Sequence, residues 1–414
     1  MVLRIRDFRL LWLGQTVSQL GNQFNYIALA WMVLQLTGSS TAMGAVYLAQ
    51  VLPNALFGWV AGLVIDRFDR RRLMMGASIV RGLLVALLPL SFSEGHMSMA
   101  LVYGVTFAVS TLTLVFYASE KTVIPMLVPD EALTEANAYA EMTSQISALI
   151  GPVLAGLLIA VLRSPVYALY LDALGFAASA LALSRLTFRD ERRSDETASG
   201  MGEQAMEGFR FLLSERFLLT ACLTIAAANF FVGPFSVIFP VLSERDLHTG
   251  SVGFGWLMGG IGGGMLLGSL FTARLTALLS NTVLVYGGMI VIGIAFAAVG
   301  LAPTLPSAVM GAAVAGFLMA PANAVLFTLV QHLTPPHLQG RVFSMLFAMA
   351  SLAMPAGVAI VSVLLDPFGA RMVLLWTGGL TAVTAALTLA FLPPQPTYCA
   401  ERSLAVTAED KEKT

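Results

Sequence analysis

The sequence predicts an all-α membrane protein, with twelve transmembrane helices in two pseudo-symmetric six-helix bundles. Three observations predict it. First, 57% of the 414 residues are hydrophobic and only 11% are charged, against roughly 45–50% and about 25% in a soluble domain. So little charge cannot cover a water-facing surface, so the solvent is a lipid bilayer. Second, apolar stretches of about 20 residues, the length that crosses a hydrocarbon core, recur twelve times. Third, one long polar interruption divides these stretches into six and six.

In chain order the expected spans are 10–36, 42–65, 73–92, 98–120, 137–162 and 166–186, then 217–241, 252–278, 283–302, 307–330, 342–364 and 371–392. The turn from Thr37 to Thr41 is so short that spans one and two must be antiparallel. The domains follow: a bundle over 1–186, a cytoplasmic linker over 187–215, a second bundle over 216–393 and a polar tail over 394–414, expected to be disordered. With the N-terminus inside, only Arg163, Arg245 and Arg371 among the basic residues outside the spans fall on the outer side. That bias places both termini in the cytoplasm of a multi-pass inner-membrane protein. The first apolar segment is long enough to span and is expected to be retained rather than cleaved. "MLVPDEALTEAN" before span five echoes "HLTPPHLQGRVF" before span eleven, and prolines follow at Pro152 and Pro355. An offset of six spans is what duplicated halves require.

Several functions are argued against. The net charge of −1 gives no electrostatic case for a nucleic-acid partner. Cys222 and Cys399 lie far apart, and His96, His248, His332 and His337 fall in loops or at span ends, so no metal site is expected. No Gly-Lys-Ser or Gly-Lys-Thr occurs, and the lysines are Lys121, Lys411 and Lys413, which argues against a nucleotide-driven pump. The chain is expected to be no enzyme, to need no cofactor, and to act as a monomer.

One short stretch concentrates charge. "GLVIDRFDRRRLMMG", from Gly62 to Gly76, carries Asp66, Arg67, Asp69, Arg70, Arg71 and Arg72 between apolar flanks. An orientation signal needs only the arginines. The two aspartates argue for more, since an Asp at a span end can face a helix N-terminus or pair with Arg.

Here the residues resemble a known family. "GLVIDRFDRRR" is similar to the loop motif of the major facilitator superfamily, with Gly62, Asp66, Arg67, Arg70 and Arg71 in place and Asp69 where the family usually has Gly. "LLWLGQTVSQLGNQFNYIALAWMVLQLTGSS", "IPMLVPDEALTEANA" followed by "GPVLAG", and "LVQHLTPPHLQGRVFS" resemble its macrolide-efflux and enterobactin-export branch. In that family the motif's Asp and Arg lock the cytoplasmic ends of the halves in the outward-facing state. The resemblance therefore implies a latch at Asp66 and Arg70. "AEMTSQISALIGPVLAG" is similar to the fifth-helix motif of family exporters, with small residues at Ala138, Ser147, Gly151, Ala155 and Gly156. Ala138 and Ser147 stand where Gly is expected.

Polar residues inside lipid are costly and informative. In span four, Tyr103, Thr106, Ser110, Thr113, Tyr117 and Glu120 alternate at spacings of three and four and share a helix face. In span one, Gln15, Ser18, Asn22 and Asn25 do the same, with Gln19, Gln23 and Tyr26 beside them. Such stripes either hydrogen-bond between helices or line a wet cavity. The resemblance implies the cavity, because these helices line it in the family. The second half offers Asn229, Phe230, Phe231, Phe235 and Ser236 in span seven, and Met319, Asn323 and Phe327 in span ten. One polar wall and one aromatic wall suit a bulky amphipathic organic molecule.

The ionisable residues in or beside spans are Arg81, Glu120, Lys121, Glu141 and Asp172. A charge at mid-helix costs roughly 2.5–3.5 kcal/mol. Two readings offset that cost: a structural cluster pairing the acids with Arg81 and Lys121, or proton coupling through Glu120, Glu141 or Asp172. Glu120 is the foremost proton candidate because it shares the polar stripe. Arg81 and Asp172 look like residues common in the branch, which favours structure for both. Asn22 stands where relatives often carry Asp, which removes one common proton site. Span eight carries Gly255, Gly259, Gly260, Gly262, Gly263, Gly264 and Gly268, read as close packing or as a flexible element. The function expected is proton-coupled efflux of an amphipathic compound by alternating access. The alternatives are an importer or facilitator of the same fold, and a receptor or scaffold without transport.

Overall fold

A computed structural model describes residues 2–187, 215–334 and 339–390. Helices account for nearly all of them, and no strand occurs among the described residues. The first half contains α1 (Arg6–Thr37), α2 (Ser40–Arg67), α3 (Arg70–Ser93), α4 (Met99–Leu127), α5 (Asp130–Leu162) and α6 (Val166–Ser184). The second half contains α7 (Arg216–Val232), α8 (Phe235–Val241) with a π-helical turn over Leu242–Asp246, α9 (Gly250–Leu278), a π-helical turn over Val283–Gly287 leading into α10 (Gly288–Leu301), α11 (Leu305–Leu333) and α12 (Gln339–Ala390).

Local chemistry sets the ends. Gly38 takes a left-handed conformation (φ 61°) and returns its N–H to the Leu34 carbonyl, which stops α1. Ser39, Asp69 and Ser98 cap α2, α3 and α4 by accepting the backbone N–H groups of Ala42, Arg72 and Leu101. Asp69, the departure from the loop motif, is thus a helix cap.

The boundaries correct some expectations. α4 runs to Leu127, so Glu120 and Lys121 sit inside a helix and not at its margin. The two last spans join in one helix with a break at Gly369, where φ is +75°. By length and composition, nine of the described helices can cross a membrane. The expected twelve is reduced because α1 carries its polar stripe, the α2 side chains of 55 and 58–67 lie outside the described residues, and the last two spans count as one. Much of the linker (188–214), the tail (391–414) and part of the second repeat segment (335–338) also lie outside them.

Packing repeats between the halves. α2 packs on α4, and α3 packs on α4 and α6. Six spans later, α9 packs on α11, and α10 packs on α11 and α12. Across the halves α5 meets α9 and α2 meets α12. Glycines permit these approaches. A Cβ on Gly255 would lie 2.6 Å from the Pro152 carbonyl oxygen of α5, and one on Gly264 would collide with the Ala313 carbonyl of α11. Close packing therefore accounts for the glycines of α9. Outward-facing apolar side chains such as Leu83, Val161, Leu270 and Met310 stay exposed, as a lipid-covered surface requires.

At the end away from the N-terminus, a clasp ties the halves together. Asp366 accepts hydrogen bonds from the Ser40 N–H (3.2 Å) and the Ser39 hydroxyl (3.4 Å) at the start of α2. Arg245, in the π-helical turn, bridges to Asp366 at 3.4 Å and donates to the Gly38 carbonyl. Asp246 pairs with Arg371 at 3.3 Å. A carboxylate of one half thus caps a helix of the other.

Candidate functional site

The first half holds a cavity of about 230 Å³. α1 supplies Asn22, Asn25 and Tyr26, α2 supplies Gln50, α4 supplies Thr106, Ser110 and Thr113, and α6 supplies Asp172. The stripes of spans one and four thus converge in part. Their other members go elsewhere. Gln15 and Ser18 are buried between helices, Tyr103 packs against the main hydrophobic core, and Tyr117 is 38% exposed. A helix this long passes several environments along one face, so a single stripe does not line a single cavity.

Asp172 is 1% exposed. Its Oδ2 accepts a hydrogen bond from the Asn25 amide at 2.6 Å, while its Oδ1 has no donor among the described residues. The Thr106 hydroxyl, on the same cavity, also lacks a partner among them. Buried polar atoms are normally satisfied, so each orphan calls for an explanation. Gly21 makes room for the carboxylate: a Cβ there would lie 2.8 Å from Oδ1.

Arg81 is also buried, but the expected ion pair is not what holds it. Its guanidinium lies between the Phe116 ring (4.3 Å) and the Phe176 ring (4.5 Å). It donates to the Ala77 carbonyl, the Ser78 hydroxyl and the Thr113 hydroxyl. Among the described residues no carboxylate forms an ion pair with it. A flat, weakly hydrated guanidinium stacks on rings more readily than an ammonium does. From Ser78 the contacts continue to Ser179 (3.3 Å) and from Ser179 to Gln15 (3.4 Å).

Gln15 and Gln19 share a small second pocket with Glu120, Trp12 and Thr143. Glu120 is 7% exposed, and Lys121, the next residue, is exposed. No ion pair joins them among the described residues, so Lys121, like Arg81, departs from the expected cluster. Glu141 is exposed and accepts a hydrogen bond from Gln145 at 2.8 Å.

The second half has a cavity of about 160 Å³ and a different character. Asn229, Asn323 and Thr381 are the polar side chains on a wall of Phe235, Met289, Met319, Met354, Leu326 and other apolar groups. Phe235 stacks on Phe296 at 6.1 Å. Asn229 commits its amide nitrogen to the Ile225 carbonyl at 2.9 Å. Phe327 is half-buried and is not part of this wall. A smaller space lined by Tyr26, Tyr47, Gln50 and Ser236 lies where the halves meet. There the Tyr47 hydroxyl donates to the Met354 sulfur at 3.1 Å.

The side chains of Gly62, Asp66 and Arg67 lie outside the described residues. Arg70 opens α3. Arg71 donates to the Leu183 (2.9 Å) and Ser184 (2.6 Å) carbonyls, closing the end of α6 within its own half.

Sequence reasoning missed Gln50, Tyr47 and the Ser78–Ser179 contact. A signal existed for the last: Asp172, Phe176 and Ser179 follow at spacings of four and three on α6. The clasp residues had none, because Ser40, Arg245 and Asp366 stand in three separate turns.

Comparison with known proteins fits this architecture. The multidrug efflux pump Tap of Mycolicibacterium fortuitum is 28% identical over 367 residues, covering 84% of this chain and 87% of that protein. Macrolide efflux protein A of Streptococcus pyogenes is 26% identical over 382 residues, covering 90% and 93%. Among solved structures, a bacterial homologue of the lysosomal transporter Spinster, inward-facing and unoccupied, superposes with a TM-score of 0.74 at 14% identity, covering 93% of this chain and 96% of that one. An inward-facing bacterial homologue of the iron transporter ferroportin does so with 0.74 at 16% identity, covering 94% and 99%. A family profile described as transmembrane secretion effector matches residues 2–408, and the chain belongs to that family of the major facilitator superfamily.

Proposed function

We propose that the protein exports bulky amphipathic organic compounds across the bacterial inner membrane, driven by protons, with both termini in the cytoplasm. The observation that carries this reading is the pair of cavities, one in each half, on either side of a shared seam. A scaffold has no use for two such voids. The relatives named as multidrug and macrolide efflux proteins support the outward direction and the class of cargo.

Alternating access supplies the mechanism. The bundles 1–186 and 216–393 rock as units about the α5–α9 and α2–α12 contacts. With the termini inside, the Asp366 clasp is the outer gate, closed here. The family latch at Asp66 and Arg70, with Gly62, Arg67 and Arg71 completing its motif, would close the inner end in the opposite state. Protons are taken up by a buried acid, Asp172 or Glu120. A proton crossing 100 mV releases about 2.3 kcal/mol, enough to drive a neutral solute roughly fifty-fold uphill. The protein acts as a monomer and needs no nucleic acid.

Everted membrane vesicles test the proposal. Energised vesicles containing the protein should accumulate a fluorescent macrolide, and nigericin, which collapses the pH gradient, should stop them. Uptake by intact cells with no accumulation in everted vesicles would make the protein an importer.

A further inference from the structure

The two cavities differ in the one property that separates an ion site from an organic site. The cavity of the first half is lined by one carboxylate, Asp172, together with amides, hydroxyls and apolar side chains such as Val85 and Val105. Among the described residues, the cavity of the second half has no ionisable side chain in its wall. From this difference, and resting on the exporter reading above, we infer that the coupling cation and the organic substrate bind in different halves: a hard monovalent cation, H⁺ or Na⁺, at Asp172, and a neutral amphipathic molecule on the Asn229–Asn323–methionine wall.

The first arm stands on unmet hydrogen-bonding capacity. Asp172 is almost wholly buried, Asn25 occupies one carboxylate oxygen, and Oδ1 has no donor. Thr106, 5% exposed and also on the cavity, has an unpartnered hydroxyl. A proton on Oδ1, or a sodium ion sharing Asp172 with neutral oxygens, meets the need that the protein leaves open. The charged and titratable groups facing Asp172 are few. Arg81 on α3 is held by two rings and three neutral acceptors, Glu120 and Tyr117 lie further along α4, and Tyr26 lines the cavity from α1. Arg81 makes the local charge near neutral when Asp172 is ionised, so it lowers the cost of the empty site without filling it.

The second arm stands on what the other wall lacks. A cationic substrate placed there finds no counter-charge. A neutral amphiphile finds three methionines, whose flexible thioethers adapt to varied shapes, the Phe235 face, and the Asn229 carbonyl oxygen left over from its bond to Ile225. The seam joins the two sites. Tyr26 and Gln50 line both the cation cavity and the seam. Tyr47, also on the seam, bonds to Met354 of the substrate wall. Cation occupancy thus reaches the substrate wall through side-chain contacts, and the two ligands need not compete for one carboxylate.

Equilibrium binding to the purified full-length protein tests this. Nile red serves as the neutral amphiphile, tetraphenylphosphonium as the cationic one, and Tm reports cation binding in NaCl against choline chloride over a range of pH. Asp172→Asn should leave Nile red affinity within about twofold and abolish the cation-dependent Tm shift. Met319→Ala with Asn323→Ala should weaken Nile red at least tenfold and keep that shift. A shift with NaCl at constant pH identifies Na⁺, and one with pH alone identifies H⁺. Should Asp172→Asn fail to fold, Thr106→Val, which removes an orphan hydroxyl from the same cavity, should change the cation response and not the Nile red affinity. Loss of Nile red binding in the first-half variants, or tetraphenylphosphonium displacing the cation at Asp172, overturns the inference. Failure of vesicle efflux with the split binding pattern intact would refute the exporter reading alone.

Discussion

The two halves pair their helices alike and fill them differently. The buried polar residues of the first half include Arg81, Glu120, Asp172 and Gln15. Those described in the second half are all serine or threonine. Many of these hydroxyls bond to a carbonyl of their own helix, as Thr224 does to Thr220, Thr377 to Val373 and Thr381 to Thr377. The first half has such bonds too, as from Ser119 to Val115, but adds side-chain bonds between helices, from Asn25 to Asp172 and from Ser78 to Ser179. Helix pairing thus depends on small residues and close backbones, which duplication preserves, while interior side chains are free to diverge. One half came to hold charge and the other to hold surface that adapts.

The strongest way to break this comparison is to remove Arg81. Arg81→Ala leaves two facing rings without their filling and removes the cation near Asp172. Truncating a large buried side chain costs about 2–5 kcal/mol. Thermal unfolding in detergent should show it, and a change under about 1 kcal/mol would mean the first half does not depend on its buried charge.

Paired glycine substitutions sharpen the contrast. Gly268→Ala sets a methyl group against the Phe317 backbone of α11. It should destabilise by about 1–3 kcal/mol, with substrate affinity falling in step. Gly21→Ala sets a methyl 2.8 Å from Asp172 Oδ1 and 2.9 Å from its Cα. Overpacking there should cost about the same, but uncouple transport from the proton gradient more than it lowers Tm. Equal effects on coupling in everted vesicles would argue that Asp172 is not a special position.

The clasp belongs to neither half and should respond to outer pH. Partial burial pushes the Asp366 carboxyl upward, but the Ser40 and Thr41 hydrogen bonds and Arg245 outweigh it and hold it below its ordinary value of 3.8. A carboxyl depressed in the closed state stabilises that state above its ordinary value. The stabilisation fades as pH falls through the depressed one. Asp366→Asn should shift the balance toward outward opening by about 0.5 kcal/mol at neutral pH, since the pair is partly exposed and screened. Distances between spin labels on the starts of α2 and α9 would report it. An unchanged distribution would mean that apolar packing closes the gate.

Thr381→Val marks the lower end. It removes a hydroxyl bonded to its own helix, so Tm should change by less than about 1 kcal/mol allows. A cost near that of Arg81→Ala would erase the difference between the halves.

Parts of this were legible in the residues. The spacing of Thr106, Ser110 and Thr113, and of Asn22 and Asn25, correctly placed these residues on common helix faces, because a helix's period fixes which side chains align. The same reasoning overextended to Tyr103, since a shared face says nothing of what lies opposite each turn. It ranked Glu120 above Asp172 because Glu120 shared a stripe. The orphaned Oδ1 of Asp172 depends on α1 passing at Gly21, and no local pattern records that.

By itself, the sequence determined the solvent and the helices. These follow from composition and from periods of a few residues, which act locally. Only the tertiary structure decided the partners. Asn25 meets Asp172 across 147 positions, and Arg245 meets Asp366 across 121. Arg81 met aromatic rings where a carboxylate was expected. Such contacts depend on how each helix is rotated and how closely its neighbours approach, and both are settled by packing the whole bundle at once.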